Sequence, residues 1–369
     1  MKKNNKHLIY IIAGEPSGDL HGANLIKSFN ALSNDSWSFR GIGGPLMQQE
    51  GFTSIEDFKK LSIMGFLEVL KVLPFFLRLK KKTILDITKH HPKKIILIDY
   101  PGFNLKIAQA IKQKTEIKVY FYISPQLWAW KESRINLIKK YVDEIIVVFP
   151  FEVEWYKKRG VRAHYFGHPL IDLYKNKVIS IRSKKINVGI FPGSRKQELN
   201  NHLPVIKETI KLLGDKFDNL HFIIGLNTKN NHKIIKKLAL NSNYTVVINN
   251  SIKAFNLSDV ALVASGTATL ECAISKTPFV VIYKTSYFNW FLTSLFIKVS
   301  FASIVNILAN KLIVLEFLQK KCNPLFISKE LIRLIEADSQ AFESETEKVL
   351  AQLGNGSSYK KTSRFILNS

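Results

Sequence analysis

Short apolar runs alternate with longer stretches of helical pattern along this chain, and the alternation starts afresh after residue 185. In the first half, four runs read as buried strands: Leu8–Ala13, Ile95–Ile98, Val119–Ser124 and Ile145–Phe149. Beyond the polar, basic stretch Tyr174–Lys185, five more appear: Ile186–Phe191, Leu220–Gly225, Thr245–Ile248, Val260–Ala264 and Phe279–Tyr283. Buried strands that alternate with helices form parallel sheets covered by helices on both faces. The sequence therefore predicts the α/β class, with two doubly wound domains and a ligand-binding cleft between them.

The length of the chain supports this division. Its 369 residues exceed what one hydrophobic core usually serves. Hydrophobic residues make up 46% of the chain, which is enough for two packed cores and too many for a disordered protein. We expect a first domain over residues 1–178 and a second over 179–342, with terminal helices from about 343 to 369 packing back on the first.

The charge is strongly basic, with 54 Lys and Arg against 29 Asp and Glu and a net charge of +25. Such a surface attracts nucleic acid, anionic lipid or phosphorylated substrates, and charge alone does not choose among them. The two cysteines, Cys272 and Cys322, form no CxxC pair, which excludes a disulfide framework and favours a reducing, cytoplasmic location. The N-terminal apolar run has no small-residue cleavage site, so a secretory signal is not expected.

The most informative turn follows the run that ends at Ala264. There the chain passes through Ser265, Gly266 and Thr267 and then takes up a helical pattern. A strand that breaks into such a turn presents backbone N–H groups and the positive end of a helix to an anion, which is how proteins hold a diphosphate. Glu271, about two helical turns on, could accept hydrogen bonds from ribose hydroxyls. This indicates a sugar nucleotide, and a helix cap beside a core glycine is the alternative.

Two carboxylates flank the turn after the first run. Glu15 and Asp19 enclose a glycine turn that lacks both the Gly-Lys-Ser/Thr of a phosphate loop and the GxGxxG of a dinucleotide fold. Carboxylates there oppose phosphate binding and suit recognition of hydroxyls. A helix start with acidic residues favoured by the helix dipole is the alternative.

Asp99 and Arg195 are the candidate catalytic residues. Asp99 follows the run Ile95–Ile98, where a carboxylate can act as general base toward a sugar hydroxyl; an Asx turn or helix cap is the alternative. Arg195 ends the turn after Phe191, where its fork can meet two oxygens of a departing diphosphate; the alternative is a surface arginine. The nine histidines show no metal-ligand spacing, so we expect no metal, and His168 is expected to position backbone.

Two apolar segments rimmed by basic residues suggest contact with lipid. Met64–Leu79 and residues 285–304 are rich in aliphatic and aromatic side chains with lysines alongside, as interfacial segments are. Lys298 interrupts the second segment, which favours membrane contact over membrane crossing. Pro74 is expected to interrupt any helix in the first segment. Packing into the core is the alternative for both.

Eight short motifs occur in a fixed order along the chain: Gly14–Asp19, Ile42–Pro45, Met64–Leu70, Asp99–Asn104, Ser124–Trp130, Gly167–Pro169, Pro192–Arg195 and Ser265–Thr267. On these motifs the chain resembles the lipid-A-disaccharide synthase family, from about residue 8 to beyond 320. The resemblance implies a GT-B glycosyltransferase of two Rossmann-like domains, inverting and without metal or cofactor. It also implies peripheral attachment to the inner face of the cytoplasmic membrane.

The implied reaction joins UDP-2,3-diacylglucosamine to 2,3-diacylglucosamine 1-phosphate (lipid X) by a β-1,6 linkage and releases UDP. Motif matching makes Asp99 the candidate base and Arg195 the arginine that contacts phosphate. The remaining matched or neighbouring positions are expected to bind substrate: Glu15, Ser17, Asp19, Ser194, Ser265, Gly266, Thr267, Glu271 and Asn306. Val305 stands where the family has proline, which puts the shape of the loop at Asn306 in question.

Two other classes stay open at this stage. One is a different UDP-sugar transferase, or a UDP-sugar epimerase, of the same architecture; soluble substrates would leave the two apolar segments unexplained. The other is a basic nucleic-acid-binding protein. Against it, the aromatic residues cluster with aliphatic ones instead of alternating with lysines as a base-stacking strip would.

Overall fold

The computed structural model describes residues 6–33, 36–58, 61, 69–174, 185–226, 236, 238, 243–286, 290 and 300–369. The chain divides into two compact units, one made of Met1–Asp172 with Leu353–Ser369 and the other of Leu173–Gln352. The expected boundary at 178 lies outside the described residues. The return to the first unit comes at Leu353, about ten residues later than the sequence suggested, because the helix Gln340–Ala351 belongs to the second unit.

The first unit contains a sheet of seven parallel strands. They are β1 (His7–Ala13), β2 (Trp37–Ile42), β3 (Phe52–Ser54), β4 (Lys94–Ile98), β5 (Lys118–Tyr122), β6 (Glu144–Val147) and β7 (Ala163–Tyr165). Their spatial order is β3-β2-β1-β4-β5-β6-β7, so the order reverses at β1. All four strands predicted in this half are present, whereas β2, β3 and β7 were not predicted because they are short or carry polar side chains.

The helices of this unit begin at prolines in most cases. They are α1 (Pro16–Ser33), α2 (Pro45–Gln49), α3 (Val69–His90), α4 (Pro101–Lys112), α5 (Ile135–Tyr141), α6 (Pro150–Lys157) and α7 (Pro169–Tyr174). Proline suits the first helical position because its fixed φ is already helical and its missing N–H would have no partner there. Several strands are thus followed, after a short loop, by a helix that begins at proline.

The expectation that Pro74 interrupts a helix was wrong. Helix α3 runs through Pro74 without a break. Pro74 has no N–H to donate to the carbonyl four residues earlier, so α3 lacks one backbone hydrogen bond there and still continues to His90. Residues 62–68, 287–289 and 291–299 of the two apolar segments lie outside the described residues. Among the helices that the structure does describe, none has the length and apolar character to cross a membrane.

The second unit contains a sheet of six parallel strands. They are β8 (Ile186–Phe191), β9 (Leu220–Leu226), β10 (Tyr244–Ile248), β11 (Val260–Ala264), β12 (Phe279–Tyr283) and β13 (Glu316–Leu318). Their order is β10-β9-β8-β11-β12-β13, with the reversal at β8. The helices are α8 (Lys196–Gly214), α9 (Ser251–Asn256), α10 (Thr267–Ile274), α11 (Ile304–Ala309), α12 (Pro324–Glu336) and α13 (Gln340–Ala351). The five predicted strands are present, and β13 is an additional edge strand.

A last helix, α14 (Ser358–Asn368), returns to the first unit and packs against α1. The carboxylate of Asp172 accepts hydrogen bonds from the backbone N–H groups of Ser358 and Tyr359, both at 3.1 Å, and so caps the start of the helix. At the other end the ammonium of Lys94 donates to the carbonyl of Leu367 at 3.2 Å, which places a cation at the negative helix end.

Candidate active site

Two of the predicted loops lie side by side where the strand order of the first sheet reverses. Strands β1 and β4 are neighbours, and Ala13 at the end of β1 pairs with Ile98 at the end of β4. The loops that carry Glu15 and Asp99 therefore start side by side. Doubly wound sheets bind their ligands at this point, outside the carboxyl ends of the strands.

The two loops touch through Gly14 and Tyr100. A Cβ atom added to Gly14 would lie 2.6 Å from Cδ1 of Tyr100, so the ring covers the glycine directly. Burial, with a smaller effect from the neighbouring Glu15 carboxylate, raises the pKa of Tyr100 to about 12. The first loop thus needs glycine because the second loop places an aromatic ring against it.

Asp99 and Tyr100 both have a left-handed backbone, with φ of 46° and 50°. Such conformations are unfavourable for residues other than glycine and collect at functional sites, where surrounding contacts hold them. Asn104 supplies these contacts: its buried amide Nδ2 donates to the carbonyls of Asp99 at 2.7 Å and Ile98 at 3.2 Å. The predicted base thus stands on a backbone that is held in an uncommon shape.

Asp19 has a structural role in the first unit. Its side chain is 3% exposed, and its carboxylate accepts hydrogen bonds from three backbone N–H groups, those of Gly44 (2.9 Å), Leu46 (3.1 Å) and Met47 (3.0 Å). It therefore caps α2, and its role in binding substrate stays a prediction. Ser17 and Glu15, in contrast, are exposed at the start of α1.

The second sheet repeats the arrangement at its own reversal, between β8 and β11. The turn Pro192–Arg195 follows β8, and the turn of Ser265 and Gly266 follows β11. A Cβ atom on Gly193 would lie 3.5 Å from the Cβ of Ala264, which shows how near the two loops are. Gly193 and Gly266 have φ of 106° and 145°, a region that favours glycine.

Arg195 stands directly before α8 with its side chain 78% exposed. Its Nη1 donates to Oε1 of Glu198 at 2.9 Å, while Oε2 of Glu198 accepts from the backbone N–H groups of Ser194 and Arg195 at 3.3 Å. Glu198 therefore caps the start of α8 and also orients the guanidinium of Arg195. An exposed arginine in this position suits contact with an anion.

His202 lies beneath this loop and was not found from the sequence. It is fully buried; its Nδ1 lies 2.7 Å from the carbonyl of Pro192, and its Nε2 lies 3.0 Å from the backbone N–H of Lys284. A carbonyl only accepts and an amide only donates, so the proton belongs on Nδ1. Burial lowers the pKa of His202, which fits a neutral ring that ties the loop after β8 to the one after β12.

The turn after β11 begins α10. Gly266 and Thr267 are exposed there, as a diphosphate site requires. The hydroxyl of Ser265 instead donates to the carbonyl of Ala302 at 2.7 Å, so it holds a neighbouring segment. Gly266 and Thr267 are thus exposed in this turn, while the side chain of Ser265 anchors the turn to the segment at Ala302.

Glu271 lies in α10 within a group of hydroxyls. The side chains of Ser251 and Tyr174 hydrogen-bond its carboxyl, and their own oxygens are 3.2 Å apart. Burial raises the pKa of Glu271, and the two hydroxyls act in the opposite direction by stabilising the carboxylate. The sequence had placed Glu271 near ribose, and the structure shows which protein hydroxyls orient it.

Asn306 is fully buried, and its amide is occupied by protein atoms. Its Oδ1 accepts from the backbone N–H groups of Ile313 (2.8 Å) and Val314 (3.0 Å), and its Nδ2 donates to the carbonyl of Val314 and to Glu316, both at 2.8 Å. Asn306 thus holds the protein backbone around it, and its contact with substrate stays a prediction. Val305, which stands in place of the family's proline, donates its N–H to Ser303 Oγ at 3.3 Å within a regular helix start.

A second buried network supports the motif Ser124–Trp130. The indole N–H of Trp128 donates to Glu152 at 2.8 Å, and the other oxygen of Glu152 accepts from the backbone N–H groups of Val148 and Phe149. Burial raises the pKa of Glu152 to about 7, against the three hydrogen bonds, which favour the charged form. No local sequence pattern indicates this pair, because its members lie 24 residues apart.

Comparison with known proteins gives one consistent result. The family model described as lipid-A-disaccharide synthetase matches residues 9–368. Lipid-A-disaccharide synthase 1 of Legionella pneumophila subsp. pneumophila (strain Philadelphia 1) is 36% identical, with 91% of this chain and 90% of the relative covered. Lipid-A-disaccharide synthase of Trichlorobacter lovleyi is 35% identical, with 98% and 97% covered.

Solved structures show the same fold at low sequence identity. UDP-GlcNAc 2-epimerase from Neisseria meningitidis, bound to UDP-GlcNAc, superposes with a TM-score of 0.68 at 14% identity and covers 99% of this chain and 100% of its own. MurG of Acinetobacter baumannii superposes with a TM-score of 0.57 at 12% identity, with 99% and 100% covered. Each unit of the chain thus has the doubly wound sheet of the GT-B fold.

Replacing Gly14 by alanine is expected to lower the free energy of unfolding by about 1–3 kcal/mol, because the new methyl would overlap the Tyr100 ring. Gly102 provides a matched control, since a Cβ there has no atom within 4 Å and alanine suits a helix. Urea unfolding of G14A, G102A and the unmodified protein measures the difference. Equal stability of the two variants would contradict the contact between the two loops.

Proposed function

The chain belongs to the lipid-A-disaccharide synthetase family, and from the two strand-order reversals we propose which of its residues carry out the transfer. It is a hexosyltransferase of lipid A biosynthesis. The proposed substrates are UDP-2,3-diacylglucosamine as donor and 2,3-diacylglucosamine 1-phosphate (lipid X) as acceptor. The observation that supports this most is that the candidate base and the candidate anion site each lie at the reversal point of a sheet.

The first unit is proposed to bind the acceptor, with Asp99 as base. In the reaction the oxygen of the acceptor's 6-hydroxyl forms a bond to the anomeric carbon of the donor, and the bond from that carbon to the diphosphate oxygen breaks. The hydroxyl proton passes to the Asp99 carboxylate, and attack from the face opposite the leaving group gives the β linkage. Exposed Glu15 and Ser17 lie at the adjacent strand end, where they can accept from or donate to sugar hydroxyls.

The second unit is proposed to bind UDP-sugar. As the bond to the sugar breaks, the diphosphate gains negative charge. The guanidinium of Arg195 and the N-terminal backbone of α10 at Gly266 and Thr267 are proposed to stabilise that charge, which their exposure and the positive helix end support. Ser194 lies beside Arg195 in the same turn, and Glu271 is proposed to accept from the ribose hydroxyls.

Helix α3 is proposed to bind an anionic membrane. Leu73, Leu77 and Leu85 are 44%, 59% and 59% exposed, and their spacing of four and eight residues puts them on one face. Exposed Lys81 lies on the same face between two of the leucines, and exposed Arg78 follows Leu77. Apolar side chains with basic ones alongside suit the interface of an anionic lipid layer. This would hold the enzyme at the inner face of the cytoplasmic membrane, where substrates with acyl chains are found.

The substrate assignment is tested by UDP release in detergent from UDP-2,3-diacylglucosamine with lipid X, beside UDP-N-acetylglucosamine with the same acceptor. We expect release only with the diacylated donor, together with a disaccharide product. Conversion of UDP-N-acetylglucosamine without any acceptor would point to an epimerase instead. Release with neither donor would remove the support for both donor and acceptor assignments.

The substitution Asp99→Asn is expected to lower kcat by about 10²–10⁴-fold, because the amide cannot take the proton. Folding should persist, since asparagine adopts the left-handed backbone at least as readily as aspartate. Affinity for UDP, measured by calorimetry, should stay unchanged. Asp215→Asn, an exposed change at the end of α8, is the control. Turnover of D99N at the unmodified rate would exclude Asp99 as base.

The double substitution Leu77→Gln with Leu85→Gln is expected to weaken binding to vesicles of phosphatidylcholine and phosphatidylglycerol by about 10-fold or more, because less apolar area leaves water. Leu312→Gln is the matched control, since Leu312 is 55% exposed but lies in the second unit. Vesicle sedimentation measures the bound fraction. Binding that is equal in all three proteins would show that α3 does not contact the membrane.

A further inference from the structure

Glu316 lies at the start of β13 and gathers three N–H donors from one short segment. Its Oε2 accepts from the backbone N–H of Ala302 at 2.8 Å. Its Oε1 accepts from the backbone N–H of Ser303 and from Nδ2 of Asn306, both at 2.8 Å. Both carboxyl oxygens accept, whereas a glutamine in this position would replace one of them by an NH₂ group that cannot accept.

Asn306 extends the same network in the other direction. Its Oδ1 accepts from the backbone N–H groups of Ile313 and Val314, which are separated from β13 by Leu315 alone. The two side chains together join the segment Ala302–Asn306 to the strand that begins at Glu316. We call this pair the Glu316–Asn306 clamp.

The clamp reaches the anion-binding turn through one hydrogen bond. Ala302, whose N–H is bound to Glu316, accepts the hydroxyl of Ser265 on its carbonyl at 2.7 Å. The backbone N–H of Ser265 is already fixed by the carbonyl of Ile282 at 3.0 Å. The side-chain bond to Ala302 is thus a second restraint on the residue that starts the turn, directly before Gly266 and Thr267.

We propose that Glu316 is a positioning residue for the turn at Ser265, Gly266 and Thr267, and thereby for the diphosphate of the donor. The proposal rests on the assignment of this turn to UDP. Glu316 acts without touching substrate: it sets the place of the Ala302 carbonyl, and the carbonyl sets the rotamer of Ser265. A displaced turn would present its N–H groups away from the phosphate oxygens, which weakens donor binding and leaves the acceptor side unchanged.

The variant Glu316→Gln tests the proposal because its NH₂ group would face at least one of the three N–H donors. Two donors cannot form a hydrogen bond with each other, so at least one bond of the clamp would be lost. We expect the Kd for UDP, measured by calorimetry, and the KM for the UDP-sugar to rise about tenfold, as for loss of one hydrogen bond to a charged group. The KM for the acceptor should stay unchanged. Glu336→Gln is the control: it makes the same change at the exposed end of α12 and should leave both constants unaltered.

A double-mutant cycle with Ser265→Ala separates positioning from a merely structural role. If Glu316 acts through the Ser265 hydroxyl, the double variant should bind UDP about as weakly as E316Q alone. If instead the two effects on the Kd multiply, Glu316 acts by another route and the proposal is overturned.

Two further outcomes are decisive. Failure of the unmodified protein to bind UDP would overturn the assignment of the turn itself, whereas unmodified-like binding by E316Q would overturn only the role of Glu316. If E316Q does not fold, Ser265→Ala alone removes the bond to Ala302 and leaves the clamp intact. Weaker UDP binding by S265A then supports the proposal, and unchanged binding contradicts it.

Discussion

Each sheet of this protein is parallel, and at one strand in each the order of the strands reverses. Connections between parallel strands are almost always right-handed, so the helices that follow the two neighbouring strands at the reversal go to opposite faces of the sheet. Their loops separate and leave backbone groups and side chains accessible at that edge. The reversal at β1 provides the places for Glu15 and Asp99, and the reversal at β8 provides those for Arg195 and Gly266. The proposed chemistry of the enzyme depends on these four loops.

Loops beyond the ends of strands have lost the regular backbone partners of the sheet, and buried side chains replace them here. Asn104 holds the carbonyl of Asp99, His202 joins two loops of the second sheet, and Glu316 with Asn306 organises the segment behind Ser265. A buried polar group that loses its partner costs about 1–3 kcal/mol of folding free energy, so these hydrogen bonds hold the side chains and the loops in fixed positions. These side chains are buried or half-buried and hold the loops in place, whereas Arg195 and Glu15, which are proposed to contact substrate, are exposed.

The apolar runs were enough to predict nine strands and therefore the loops that follow them, because a strand buried on both faces needs an unbroken run of apolar side chains. Strand β2 was missed because Ser38 and Arg40 interrupt its apolar pattern, and β13 because it has three residues at an edge. Roles that depend on distant partners were harder to predict. Asp19 is an example: the amides that it caps lie 25 to 28 residues away, and nothing in its own neighbourhood indicates them.

The return of α14 to the first unit makes the second unit an insertion within the first. During synthesis, the surface of α1 that α14 covers stays open until residues 173–352 have been translated. Asp172, which caps α14, likewise awaits partners that come almost two hundred residues later. All seven strands of the first unit are translated by Tyr165, but its last helix is translated only after the whole of the second unit, so the unit that begins first is completed last. A truncation after residue 352 would therefore leave the earlier unit incomplete and the later one whole.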